Sequence, residues 1–270
     1  RIGYWQPLTL NLKINYFLVL IMNIIGLIPV RLESSRLPNK AILEISGIPM
    51  ILHVVKRAKL SKTLDRVVVC TDSHKICDLC VENKIEVVLT KNVHTNGTER
   101  IAEAASILGL DQDTIVVDIQ GDEPLLKPYM VDNVADYLIK NNQFDIIVPF
   151  IKTFEEESHS RVKLVTSNDN VVYMSRRNLP YPFSKDTVYK KHLSIIAFKM
   201  DALSKFASSE STPLEEIEGI ELLRAIEIGL KVGTFEEYGE TLSVDTSEDY
   251  ERVQRLMYKD ELYLESNGYD

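Results

Sequence analysis

The sequence predicts an α/β fold in which a mainly parallel sheet carries helices on both faces and accepts an antiparallel insertion. Two observations carry this. Short, continuous, β-branched runs such as residues 24–30, 66–70 and 114–119 alternate with segments of helical period, the pattern of strands buried on both faces of a parallel sheet. From Phe144 the rhythm changes to closely spaced strand-like runs joined by turn residues, which is how antiparallel strands read.

The first strand, residues 24–30, ends where Pro29 can no longer donate to a sheet ladder. It releases Arg31, Ser34, Ser35, Arg36 and Lys40 at its carboxyl edge, with Pro38 stiffening the exit. Open α/β sheets bind ligands at that edge, and several cations with hydroxyls between them suit a triphosphate. A helix over 49–59 follows, with Met50, Val54, Val55 and Ala58 at helical spacing, and the strand 66–70 completes a β-loop-α-β unit. The alternation continues through a helix over 73–83, a strand over 85–90, a helix over 98–108 and a strand over 114–119. Gln120-Gly121-Asp122-Glu123-Pro124 leaves that last strand, which sets Gln120 and Asp122 at the same edge as the cationic loop. By spacing alone Asp122 is either a turn carboxylate or a ligand for Mg²⁺, which favours a carboxylate or two plus phosphate oxygens.

Residues 145–151, 162–165 and 171–174 read as strands, the last two joined by the hairpin composition Ser167-Asn168-Asp169-Asn170. Thr212, Pro213 and Glu215 form a helix start of capping-box type, and the predicted helix runs to about Ile228 before Gly229. Glu218 and Glu221 then fall at i and i+3 on one face, able to accept hydrogen bonds from hydroxyls. A strand over 231–237 precedes Val244-Asp245-Thr246 and a closing amphipathic helix through Met257. Asp245 or Thr246 is placed to cap that helix.

A length of 270 residues, 45% hydrophobic and 26% charged, suffices for one large α/β domain. The net charge of −9 disfavours nucleic acid and anionic membranes, so the cations of the first loop are a local exception that selects a small anionic ligand. Three cysteines make no closed disulfide set, which points to a reduced, cytoplasmic chain; Cys77 and Cys80 sit on a helix with no second metal-binding pair. The apolar stretch 17–30, interrupted by Asn23 and Pro29, is short of the ~20 residues of a membrane helix, and a signal peptide there would remove the cationic loop. Residues 1–22 are therefore expected to be a dispensable or non-native extension, with Met22 as a natural start. Residues 23–270 are expected to form a single domain, with an insertion over about 147–200. Neither G-x-G-x-x-G nor G-x-x-x-x-G-K-[ST] occurs, which disfavours dinucleotide dehydrogenases and P-loop enzymes.

The run from Pro29 to Lys40 resembles the nucleotide loop of the sugar-acid cytidylyltransferases, most closely the 3-deoxy-manno-octulosonate (Kdo) cytidylyltransferases. Gly97-Thr98-Glu99-Arg100, Gln120-Gly121-Asp122-Glu123-Pro124, Tyr173-Met174-Ser175-Arg176, Pro213-Leu214-Glu215 and Val244-Asp245-Thr246 recur in the same order over residues 23–257. The resemblance implies a nucleotide-binding sheet and attack of a 3-deoxy-ulosonic acid's anomeric hydroxyl on the α-phosphorus of CTP. CMP-sugar and pyrophosphate are the products, for lipopolysaccharide or surface-glycan synthesis. It further implies nucleotide binding by Arg31, Ser34, Arg36, Lys40, Arg100 and Gln120, and Mg²⁺ held by Asp122 and Asp245. Sugar binding falls to Arg176, His192, Glu218 and Glu221, where a guanidinium reads the sugar carboxylate. A homodimer built through the insertion is expected. The resemblance weakens at Ile196 and Leu222, which replace a tyrosine and a glutamine, and at Arg177 and Asn178, so a modified sugar such as 8-amino-Kdo is expected to be accepted. The rival readings are a nucleotidyltransferase for a nonulosonic, sialic-acid-like sugar and a non-catalytic nucleotide-binding module.

Overall fold

The computed structural model describes residues 23–34, 36–154, 161–184, 187–239 and 241–265. The expectations for residues 1–22 and the hydroxyl of Ser35 lie outside them. The strands are β1 (Ile24–Val30), β2 (Glu44–Ile45), β3 (Ile48–Pro49), β4 (Arg66–Thr71), β5 (Glu86–Leu89), β6 (Ile115–Ile119), β7 (Ile146–Ile147), β8 (Phe150–Thr153), β9 (Lys163–Ser167), β10 (Asn170–Ser175), β11 (Tyr189–His192), β12 (Ile195–Lys199) and β13 (Val232–Gly233). The helices are α1 (Met50–Ala58), α2 (His74–Glu82), α3 (Gly97–Ile107), α4 (Pro128–Lys140), α5 (Met200–Ser208), α6 (Pro213–Glu218), α7 (Leu222–Glu227), α8 (Ser247–Met257) and α9 (Glu261–Glu265).

An 11-stranded sheet runs β5-β4-β1-β6-β12-β7-β13-β10-β9-β11-β8, and β2 pairs with β3 in a separate hairpin. The half from β5 to β6 is parallel, as the β-branched runs require. All seven residues of β1 and all five of β6 are buried, so neither strand alternates apolar and polar positions. From β1 the chain moves outward to β4 and β5 and then returns to place β6 on the other side of β1. That reversal leaves a crevice at the carboxyl ends of β1 and β6, the topological switch point where such sheets take their ligands.

Two apolar layers sandwich the sheet. Helices α1 and α4 cover one face through Ile51, Val54, Val55, Met130, Val134 and Leu138. Helices α3, α5 and α7 cover the other through Ile101, Ala104, Leu203, Phe206 and Leu223. In a third cluster Val253 and Met257 of α8 pack on Ile45, Met50, Leu125 and Val244, which draws the C-terminal segment against the loop that follows β1.

Antiparallel pairing begins beside the central strand itself. Residues 195–199, which fall in the segment read as an insertion, form β12, and it pairs with β6 from Ile195↔Ile119 to Lys199↔Ile115. The β9/β10 hairpin turns at Asn168, whose φ of 52° is one Asn tolerates. Two expected elements differ from the structure. The strand over 231–237 shortens to Val232–Gly233 with a single bridge from Glu236 to Phe150. The helix expected from 213 to 228 is two helices, because Gly219 takes a left-handed conformation (φ 62°) as the C-cap of α6, its N–H donating to Glu215 O at 2.8 Å. Glu218 and Glu221 therefore do not share a helix face.

Candidate active site

The crevice at the switch point is a cavity of about 710 Å³. The loop after β1 lines it with Arg31, Ser34, Arg36 and Lys40, the turn after β6 contributes Gln120 and Asp122, and Asp245 closes it. Seven residues that the sequence singled out, from three separate segments, thus meet at one place.

The local chain path explains why. Gly121 lies so close to the exit of β1 that a Cβ there would sit 3.1 Å from Pro29 O and 3.2 Å from Val30 Cβ, so glycine alone lets the two strand ends converge. Val244 N donates to Asp122 O at 2.9 Å, which ties the C-terminal segment to the β6 turn and sets Asp245 beside Asp122. Thr246, not Asp245, caps α8. Its Oγ1 accepts from Asp249 N at 3.2 Å, and Asp249 Oδ2 accepts from Thr246 N in return. The Asp245 carboxylate is left free to face the cavity.

There Lys40 Nζ donates to Asp122 Oδ2 at 2.6 Å and to Asp245 Oδ1 at 3.2 Å, while Arg36 Nη2 donates to Asp245 Oδ1 at 2.9 Å. Burial alone would lower the Lys40 pKa, but the charges and hydrogen bonds of Asp122 and Asp245 outweigh it and hold the ammonium above its ordinary value. Lys40 is thus cationic at neutral pH. Beneath this pair, Glu123 is 2% exposed and accepts from Ser243 Oγ at 3.1 Å; burial, with the adjoining Asp122 charge, pushes its carboxyl up to about 7.

The remaining candidates lie elsewhere. Arg100 does not reach this cavity: its guanidinium donates to Thr90 Oγ1 at 2.7 Å and Asp72 Oδ2 at 2.9 Å, binding together the exits of β4 and β5. Arg176 and Glu218 come together as a second group. Arg176 Nε donates to Glu218 O at 3.0 Å and Nη2 to Gly219 O at 2.8 Å, and Glu218 accepts from Ser175 Oγ at 2.8 Å and Arg176 N at 3.2 Å. His192 ends β11, where burial lowers its imidazole to about 4, so it is neutral at pH 7. Glu221 points the other way from Glu218, accepting from Thr98 N at 3.5 Å, with burial raising its carboxyl to about 6.

A cytidylyltransferase family model matches residues 25–263. The chain belongs to the cytidylyltransferase family. Its relatives include the 3-deoxy-manno-octulosonate cytidylyltransferase of Neisseria gonorrhoeae, 40% identical over 245 residues that span 85% of this chain and 96% of that one. The enzyme of the same description from a Nitratiruptor species is 34% identical over 86% of this chain and 99% of its own. Among solved structures, a CMP:2-keto-3-deoxy-manno-octonic acid synthetase complexed with CTP superposes with a TM-score of 0.82 at 30% identity, covering 88% of this chain and 99% of that one. A cytidylyltransferase from Leptospira borgpetersenii, 21% identical, superposes with a TM-score of 0.59 over 88% of this chain and 87% of its own, which shares the fold. The chain is a nucleotidyltransferase on these grounds. Among the described residues no helix is long and apolar enough to cross a membrane.

Reading the residues singly missed Asp118. It is fully buried in the middle of β6, where Ile115, Val116, Val117 and Ile119 are all apolar, and it accepts from Gln120. The signal was present, since a carboxylate inside a strand buried on both faces needs a partner.

Proposed function

We propose that the protein transfers the cytidylyl group of CTP to the anomeric hydroxyl of a 3-deoxy-ulosonic acid, Kdo or a substituted form such as 8-amino-Kdo, releasing pyrophosphate. The observation that carries this is the meeting of Asp122 and Asp245 on one cationic atom, Lys40 Nζ, at the edge of the cationic loop. Arg31, Arg36 and Lys40 are positioned to hold the triphosphate and to stabilise charge that develops on the leaving pyrophosphate.

The donor set fits Mg²⁺. Asp122 and Asp245 are each about a quarter exposed toward the cavity, and both already touch a single cation. Mg²⁺ favours one or two carboxylates and takes its other ligands from phosphate oxygens and water, which this pair of carboxylates at a cavity edge leaves room for. Held there by Asp122 and Asp245, Mg²⁺ would supply Lewis-acid polarisation of the transferred phosphate.

Arg176 with Glu218, and His192, are proposed to shape the sugar side. Ile196 and Leu222 are buried in the apolar layer with Phe198 and Leu223, so neither position offers a polar group, and a substituted sugar is the proposed substrate. Phe154, Tyr181 and Phe183 are exposed in the loops that leave β8 and β10, within the segment read as an insertion, which supports a homodimer formed through it. Light scattering at micromolar concentration is expected to give twice the chain mass, and a monomer would refute this. The reduced thiols support a cytoplasmic location.

Pyrophosphate release tests the reading. CTP should be the productive nucleotide among the four triphosphates, and Kdo or 8-amino-Kdo should be turned over in preference to sialic acid. Preference for unmodified Kdo over every substituted analogue would refute the modified pocket, and release with sialic acid alone would assign the nonulosonic reading.

A further inference from the structure

Gln120 lines the nucleotide cavity, yet its amide nitrogen is already committed. Nε2 donates to both carboxylate oxygens of Asp118, at 3.1 and 3.0 Å. As bonded, the amide turns its nitrogen toward Asp118 and its carbonyl oxygen away from it. The end of the amide turned away from Asp118 is Oε1, an acceptor.

Asp118 is an expensive residue to place here. It is 0% exposed in β6, in register between Leu27 of β1 and Ile196 of β12, in the layer built by Val116, Leu27 and Phe198. Burial, and next the Glu221 charge, push its carboxyl well above the usual carboxylate range. An apolar residue of similar size would fill this place at no electrostatic cost and is commonly neutral or stabilising in such exchanges. Fold stability therefore does not account for a carboxylate at this position, whereas the contact with Gln120 does.

We infer that Asp118 is a positioning residue that locks the Gln120 side chain with its carbonyl oxygen toward the nucleotide cavity, so that Gln120 reads a hydrogen-bond donor, an O–H or N–H, on the bound substrate. With the lock removed, the amide turns freely and presents its nitrogen about as often as its oxygen. This rests on the proposed reaction only for the identity of the substrates. The donor belongs either to the nucleotide or to the sugar acid, and separate KM values distinguish them.

The test compares Asp118→Asn, Asp118→Leu, Gln120→Leu, the double variant Asp118→Leu/Gln120→Leu and the reciprocal exchange Asp118→Asn/Gln120→Glu. An asparagine side chain keeps a carbonyl oxygen that accepts from Gln120, so Asp118→Asn is expected to stay within about twofold of wild type. Asp118→Leu should raise the KM of one substrate by about 5- to 10-fold, the worth of one neutral hydrogen bond, with kcat and Tm little changed. The double variant should be no worse than Gln120→Leu alone, because Asp118 acts only through that side chain. Gln120→Glu sets two carboxyls against each other, and adding Asp118→Asn should restore binding by reversing donor and acceptor. Multiplying effects in the double variant, or Asp118→Asn as damaging as Asp118→Leu, would overturn the inference. If Asp118→Leu does not fold, the reciprocal exchange decides, and its failure to rescue would be equally fatal. If the wild type releases no pyrophosphate from CTP and Kdo, the proposed reaction fails separately. The Gln120 side-chain amide resonance, assigned by its loss in Gln120→Leu, then decides the lock: a shift with Asp118→Leu and not with Asp118→Asn upholds it, and no shift with either refutes it.

Discussion

Asp245 and Thr246 are adjacent, and their side chains do different things. Thr246 Oγ1 accepts from Asp249 N and holds the first turn of α8, while the Asp245 carboxylate leaves the helix and meets Lys40 and Arg36. Thr246→Ala should therefore cost about 1 kcal/mol of stability, the usual worth of an N-cap, with turnover preserved. A melt showing the loss with Asp245→Asn instead would reverse the assignment. The sequence left the cap open between these two residues, because Asp and Thr cap equally well on paper. Arg100 and Arg176 were less legible still. Both read as cations available to a ligand, and only tertiary structure shows one spent on Asp72 and Thr90 and the other on backbone carbonyls of Glu218 and Gly219.

At the scale of elements, the strands that build the site were legible because each is a short run buried on both faces. Proline and glycine at their ends mark where the backbone leaves the sheet. The break between α6 and α7 was visible as Gly219, but Ile217, Ile220 and Leu223 carry a helical spacing straight across it. The left-handed Gly219 turns Glu218 toward Ser175 and Glu221 toward Thr98. Gly219→Ala is expected to destabilise by about 1 kcal/mol, since a Cβ penalises that backbone conformation, and to disturb the Arg176 contact to the residue 219 carbonyl. Denaturant unfolding with a midpoint equal to wild type would show that the turn is not strained by a side chain.

At the scale of the molecule, the parallel half of the sheet follows from alternation, but its order does not. Nothing in residues 195–199 announces that they pair with β6 rather than with the hairpin they follow, because that pairing closes a loop from residue 119 and sequence order carries no such information. The same long-range packing buries His53, whose Nε2 donates to Ile45 O at 2.8 Å, and burial with the nearby Arg57 and Lys56 charges lowers its imidazole to about 4. Above pH 6.5 the imidazole is neutral in both the folded and the unfolded chain. Between about 6.5 and 4 the unfolded chain takes up the proton and the folded one does not, so stability falls as the pH drops and the full loss is reached below 4. The contribution is about 3 kcal/mol. His53→Gln, which can keep the contact to Ile45 O, should flatten the pH dependence of the unfolding free energy over that window. An unchanged slope would show that the buried imidazole is not its source.

The central claim is that Asp122 and Asp245, brought together by Gly121 and by the Val244 N–H on Asp122 O, act as one site on the triphosphate of CTP. The most direct test measures kcat and CTP affinity for Asp122→Asn and Asp245→Asn beside the wild type. Each substitution should lower kcat by at least ~10²-fold, the scale of losing one preorganised electrostatic stabiliser. CTP affinity should change far less, because Arg31, Arg36 and Lys40 still hold the phosphates while only stabilisation realised in the transition state is lost. Near-normal turnover in Asp122→Asn, or a loss of CTP binding that matches the loss of kcat in both variants, would contradict the account.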